Sequence, residues 1–201
     1  MEKKNAKMQE IINFQKEWNN NLPELKKKVE NNEFVELAPN SKWERILIPY
    51  TELLPELPDE KENNSTLLGI DSNGNGVRDD LEILTVKEFG NDRDIVEVVF
   101  AGVRRRDYSV YIYMNNLINY NSIEKIIKDG DITVDCFIDM TGDYSGDDII
   151  YYKYYNTPER KKVEKAIIKG LGGHIDRGRE ITKEFCEKGI EESKTWMYRN
   201  K

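Results

Sequence analysis

The chain is short of the residues on which several common chemistries rest. It has two cysteines, Cys136 and Cys186, and a single histidine, His174, among its 201 residues. Two thiols and one imidazole are too few to build a Cys/His zinc site. No run approaches the ~20 apolar residues that a helix needs to cross a bilayer, and the mean hydropathy is −0.75, so no membrane span is expected. Positive charge is in deficit, with 31 Lys and Arg against 38 Asp and Glu and a formal charge of −7. That balance argues against nucleic acid or anionic lipid as the main partner. The start, MEKKNAKMQEIINFQKEW, is basic but lacks the apolar stretch of a secretory signal. Two readings stand: a cytoplasmic protein, or an exported one whose signal is not part of this sequence. No segment repeats with the spacing of a solenoid or propeller.

Apolar material is nonetheless plentiful. Hydrophobic residues make up 38% of the chain, with 11 Tyr, 6 Phe and 3 Trp, and a chain of this length buries roughly 70% of its unfolded surface. Met8, Ile11, Ile12, Gln15 and Trp18 recur at helical spacing and predict a helix over 2–21, interrupted near Pro23 and resumed over 24–29. Residues 34–58 hold Pro39, Pro49, Pro55 and Pro58 together with Trp43, Ile46, Leu47, Ile48, Tyr50, Leu53 and Leu54. That mixture suggests an extended arm laid over a core. The polar stretch Lys61 to Asn64 marks a boundary between an N-terminal part, 1–62, and a helical part, 63–201.

In the second part, Asp79 to Phe89 reads as a short helix stopped by Gly90. Ile95, Val99, Val103, Val110, Met114 and Leu117 mark a longer helix across 93–118, although YSVYIYM also suits a strand. DITVDCFIDM (131–140) alternates like a strand and is long enough for a helix. Thr157-Pro158-Glu159 supplies an N-cap, a proline at the first helical position and an acidic first turn. That helix should stop at Gly170, and a last one should span 177–196. The expected fold class is mainly α: an irregular helical domain with a Pro-rich extended arm and one EF-hand-like calcium loop.

One segment carries a chemistry. Residues 71–82, DSNGNGVRDDLE, satisfy D-x-[DN]-x-[DN]-G-x5-E at each specified position. Calcium takes six to eight hard oxygens, and a loop of this spacing wraps them around one ion. Asp71, Asn73 and Asn75 would give side-chain oxygens and Val77 its backbone carbonyl. Asp79 would bind directly or through water, and Glu82 would close the shell with both carboxylate oxygens. Gly76 permits the sharp turn. Two amides among the ligands suggest weak-to-moderate affinity. The alternative is a metal-free, Asx-rich turn that caps the following helix.

The loop resembles those of EF-hands, and also the single loops of dockerins and thrombospondin type 3 repeats. It departs from a sensor EF-hand in having Arg78 where an aliphatic residue pairs two loops, and in having no second loop: DYSGDD (143–148) lacks the spacing. NNSTLLGIDSNGNGVRDDLE, with NTPER (156–160) as a weaker second element, is similar to a group of uncharacterised exported bacterial proteins. That resemblance implies a mainly helical, extracytoplasmic protein with no assigned activity. It tilts 93–118 and 131–140 toward helix.

Other candidates have plainer readings. Arg104, Arg105 and Arg106 suit a solvated, ion-paired helix face. Tyr151, Tyr152, Tyr154 and Tyr155 suit packed rings with hydroxyls at the rim. His174 has no recognisable nucleophile beside it, and no catalytic residue is assigned. Cys136 and Cys186 either close a disulfide or stay reduced and buried. The expectation is a non-enzymatic protein whose single Ca2+ braces a surface for an unidentified protein partner, located in the periplasm or secreted. An envelope hydrolase with a structural calcium, or an immunity- or inhibitor-type protein, is the alternative.

Overall fold

The computed structural model describes residues 2–33, 45–143, 145–172 and 180–196. It is mainly helical, and no extended strand occurs among the described residues. The first helix, α1 (Glu2–Glu30), runs straight through Pro23 where an interruption was expected. The proline removes one backbone donor. The helix is held from outside, because Phe14 and Trp18 pack on the core and Leu22 is buried. The polar stretch at 61–64 falls largely within a short helix, α2 (Glu60–Asn63), capped by the Asp59 carboxylate. Residues 45–58 form no helix. Tyr50 and Leu54 are buried there, while Ile46 and Leu53 are exposed. Trp43 and the rest of 34–44 lie outside the described residues.

Helix α3 (Asp79–Phe89) has the bounds expected of it, and α4 (Arg93–Met114) follows almost at once. Helix α4 is the axis of the fold. It touches α3, α5 (Tyr120–Gly130), a π-helical turn (Asp131–Asp135), α6 (Cys136–Thr141), α7 (Ser145–Tyr154), α8 (Pro158–Leu171) and α9 (Lys183–Ser193). Val96, Val98, Phe100, Val103, Val110 and Ile112 are consequently buried on several of its faces at once. The helix stops at Met114 rather than 118 because Asn116 turns to φ 53° and the Leu117 amide bonds back to the Ile112 carbonyl. Met114 and Leu117, which marked the end of that expected helix, are exposed.

The alternating segment 131–140 is helical: the π turn and α6 continue α5. The extra residue in the π turn lets Ile132 pack closely against Gly189 of α9. Cys136, just beyond it, is joined by a disulfide to Cys186, with 5.7 Å between their Cα atoms. Helix α8 starts where its cap signals place it, Thr157 Oγ1 accepting from the Arg160 amide at 3.2 Å. It runs past Gly170, whose lack of a side chain makes room for Ile123. Helix α9 is shorter than 177–196 and begins after the Thr182 cap. His174 lies outside the described residues.

Candidate functional site

Residues 71–82 make a compact loop closed on itself by their own polar atoms. The Asp71 carboxylate accepts the amides of Gly74 and Gly76, both at 3.0 Å. Gly76 sits at φ 80°, a conformation that side chains resist. Asn73 Oδ1 accepts the Asn75 amide, and Asn75 Oδ1 accepts the Val77 amide at 2.8 Å. At the far end Asp79 Oδ1 accepts the Ser72 amide at 2.9 Å, and the Asp79 amide returns to the Ile70 carbonyl. Val77 points into the core and is fully buried, which anchors the loop from below.

The side chains of Asn73, Asn75 and Glu82 meet at one point. Asn75 Nδ2 donates to Glu82 Oε2 at 2.7 Å and Asn73 Nδ2 to the same oxygen at 3.1 Å. Tyr50, reaching over from segment 45–58, places its hydroxyl 3.5 Å from Glu82 Oε1. Glu82 is fully buried. Burial pushes its carboxyl up to about 7; the two amides pull it down, and the charges of Asp79 and Asp71 push it further up. The Tyr50 hydroxyl is raised as well, by burial and then by Glu82 and Glu97, so it stays a donor. Asp71 and Asp79 are joined to the cluster through backbone amides of the loop. Among the described residues, no three His, Cys, Asp or Glu side chains form a metal-holding group by themselves. The set here is mixed, with two amides and a backbone carbonyl beside its carboxylates.

Three arginines that local sequence could not place hold the loop in the fold. Arg78, fully buried, pairs with Asp80 at 2.6 Å and donates to the Lys153 and Tyr154 carbonyls at the end of α7. Its stem lies so close to Gly69, at φ 71°, that any side chain there would overlap it. The arginine therefore ties the loop to the end of α7. Arg160, also fully buried, sends its N–H groups to the carbonyls of Asn63, Thr66 and Leu67 and to the side-chain oxygens of Asn64 and Asn156. The two segments that stood out separately in the sequence, 63–69 and 156–160, are thus in contact through this one guanidinium. Arg104 and Arg106 are buried, not on a solvated face as their run of charge suggested. Arg104 Nε and Nη2 donate to the Asn75 carbonyl at 3.1 and 3.0 Å. Only Arg104 carried a sequence signal, as an arginine within the apolar run of α4, a placement that requires buried oxygens to receive it.

The chain before Asp71 is not an entering helix. Helix α2 ends at Asn63, and 64–70 is irregular, pinned by Asn63 Oδ1 accepting the Ile70 amide at 2.9 Å. Among the tyrosines, Tyr154 and Tyr155 are buried edge-to-face and Tyr154 bonds Asp107, whereas Tyr152 is exposed. No protein-family model, curated protein or solved structure matches the chain.

Proposed function

We propose that this chain is a non-enzymatic calcium-binding protein in which one ion braces a surface for another protein. The ligands are Asp71, Asn73, Asn75, the carbonyl of Val77, Asp79 and Glu82. The observation that supports this reading is the Glu82 carboxylate, buried among further oxygen acceptors and met by amide and hydroxyl donors. Burial of a carboxylate is costly without a cation to compensate it. A divalent ion at the loop centre would supply that charge, the asparagine amides turning their oxygens toward it. The missing entering helix and the Arg78 anchor favour a structural ion over a switch that opens a helix pair.

The surface beside the loop fits a docking role. Leu67, Leu68, Asp71 and Gly74 line a depression with Met114, which is 60% exposed; Leu117 after α4 and Tyr120 at the start of α5 are exposed as well. A disulfide suits a location outside the reducing cytoplasm. A cleft of about 240 Å3 between α1, 57–64 and α3 is lined by Met8, Ile11, Leu57, Pro58 and Leu84 and by the carboxyls of Glu60 and Asp80, the latter held by Arg78.

Calcium that binds only the folded chain adds RT ln(1 + [Ca]/Kd), about 1.4 kcal/mol at ten times Kd. The expected result is a melting temperature higher in excess calcium than in excess chelator, and a difference abolished by Asp71→Ala. Superimposable melting curves for the unmodified protein in the two buffers would refute the calcium reading.

A further inference from the structure

One cation already stands behind the loop. Arg104 leaves α4 with its stem against Phe100, the guanidinium 5.9 Å from the ring centroid. Two of its nitrogens converge on the backbone carbonyl of Asn75, itself one of the two amide ligands. Its third nitrogen, Nη1, is buried without a hydrogen-bond partner, 3.9 Å from Glu97. The acidic groups facing it are Glu97, Glu82 and Asp71, and the Tyr50 hydroxyl faces it as well. The side chain is 5% exposed, so little water screens these charges from one another.

We propose that Arg104 is the resident counter-cation of the loop and sets its calcium affinity. The inference rests on the calcium reading of residues 71–82. In the empty loop the guanidinium offsets part of the charge of Asp71 and Glu82, which lets the loop stay folded without metal. When calcium enters, the same guanidinium opposes it and holds binding in the weak range of roughly 10⁻⁴–10⁻³ M. The bidentate grip on the Asn75 carbonyl fixes the cation close to the ligands while keeping it out of the ion's own position. Arginine suits this task because it cannot shed its proton under the field of a metal.

The test is calorimetric titration with Ca2+ at low ionic strength, comparing the unmodified protein with Arg104→Met and Arg104→Lys. Methionine keeps much of the apolar stem and removes the charge; lysine keeps the charge and loses the fork. Arg104→Met should bind calcium roughly tenfold tighter, melt at a lower temperature without metal, and gain more from calcium. Arg104→Lys should stay within about threefold of the unmodified protein. Equal or weaker binding by the methionine variant overturns the proposal, as does a lysine variant that shifts like methionine. If the unmodified protein takes up no calcium at about 10 mM, the calcium reading fails as stated, and Arg104→Met then decides. Binding by that variant shows that Arg104 blocks the loop; none by either protein removes both ideas. Should Arg104→Met not fold, Arg104→Gln carries the same expectations.

Discussion

Replacing Arg160 by methionine should cost the fold about 4 kcal/mol in urea unfolding, near the upper end for a single substitution. The guanidinium is fully buried and donates to five neutral oxygens between 2.7 and 3.0 Å. Methionine fills much of the volume but satisfies none of those acceptors. An acceptor stranded away from water costs its desolvation in full, unlike a hydrogen bond exchanged for one with solvent. The damage should also reach the loop, because three of the five oxygens are backbone carbonyls of the stretch leading into Asp71. Calcium affinity should therefore fall together with stability. Lys161→Met, on the exposed side of the same helix, is the control and should change stability by less than about 0.5 kcal/mol. A loss below about 1 kcal/mol for Arg160→Met would mean that the carbonyls find water instead.

The second large effect belongs to Glu82 and is visible in the metal-free protein. Its carboxyl is raised from 4.5 to about 7 by burial. The folded chain therefore holds this proton more tightly than the unfolded chain. Below about pH 4.5 both states are protonated and the residue is neutral in the balance. Between about 4.5 and 7 the unfolded state ionises first, so stability falls as pH rises. Above about 7 the full difference is felt: (7 − 4.5) at ~1.36 kcal/mol per unit is about 3 kcal/mol. Glu82→Gln keeps the shape and removes the titration. Chelator-treated protein should lose about 3 kcal/mol more than the variant between pH 5 and 8, a window set by the same two values. Burial raises Asp92 and Asp129 too, but both proteins carry them and they cancel in the comparison. Parallel pH profiles would show that Glu82 is not a source of strain. Saturating calcium should flatten the profile of the unmodified protein, since an ion at the loop keeps the carboxylate charged throughout.

Local signals were legible where they were self-contained. Helix α3 begins within the loop pattern and ends before Gly90, and α8 begins at Thr157-Pro158-Glu159, because caps and dipole charges act within one turn. Pro23 misled because its local cost is outweighed by the apolar face that Phe14, Trp18 and Leu22 present to the core. The alternation in 131–140 left strand and helix both open because a helix buried on several sides needs no clean stripe, and the π turn shifts its phase. The six loop residues could be named from their spacing. What the spacing could not show was the scaffold: Arg78, Arg104 and Arg160 bond to oxygens far along the chain, and a charge run looks the same whether its partners are water or buried carbonyls.

The distance in sequence that Arg160 spans has a consequence for how the molecule is made. Its backbone partners lie 93 to 97 residues before it. At a synthesis rate of roughly 5–20 residues per second, the loop waits several seconds between its own emergence and the arrival of that guanidinium. During that interval the nascent chain has the loop's oxygens but no frame to hold them still, so an ion taken by the loop would be held firmly only at the closing stage of assembly.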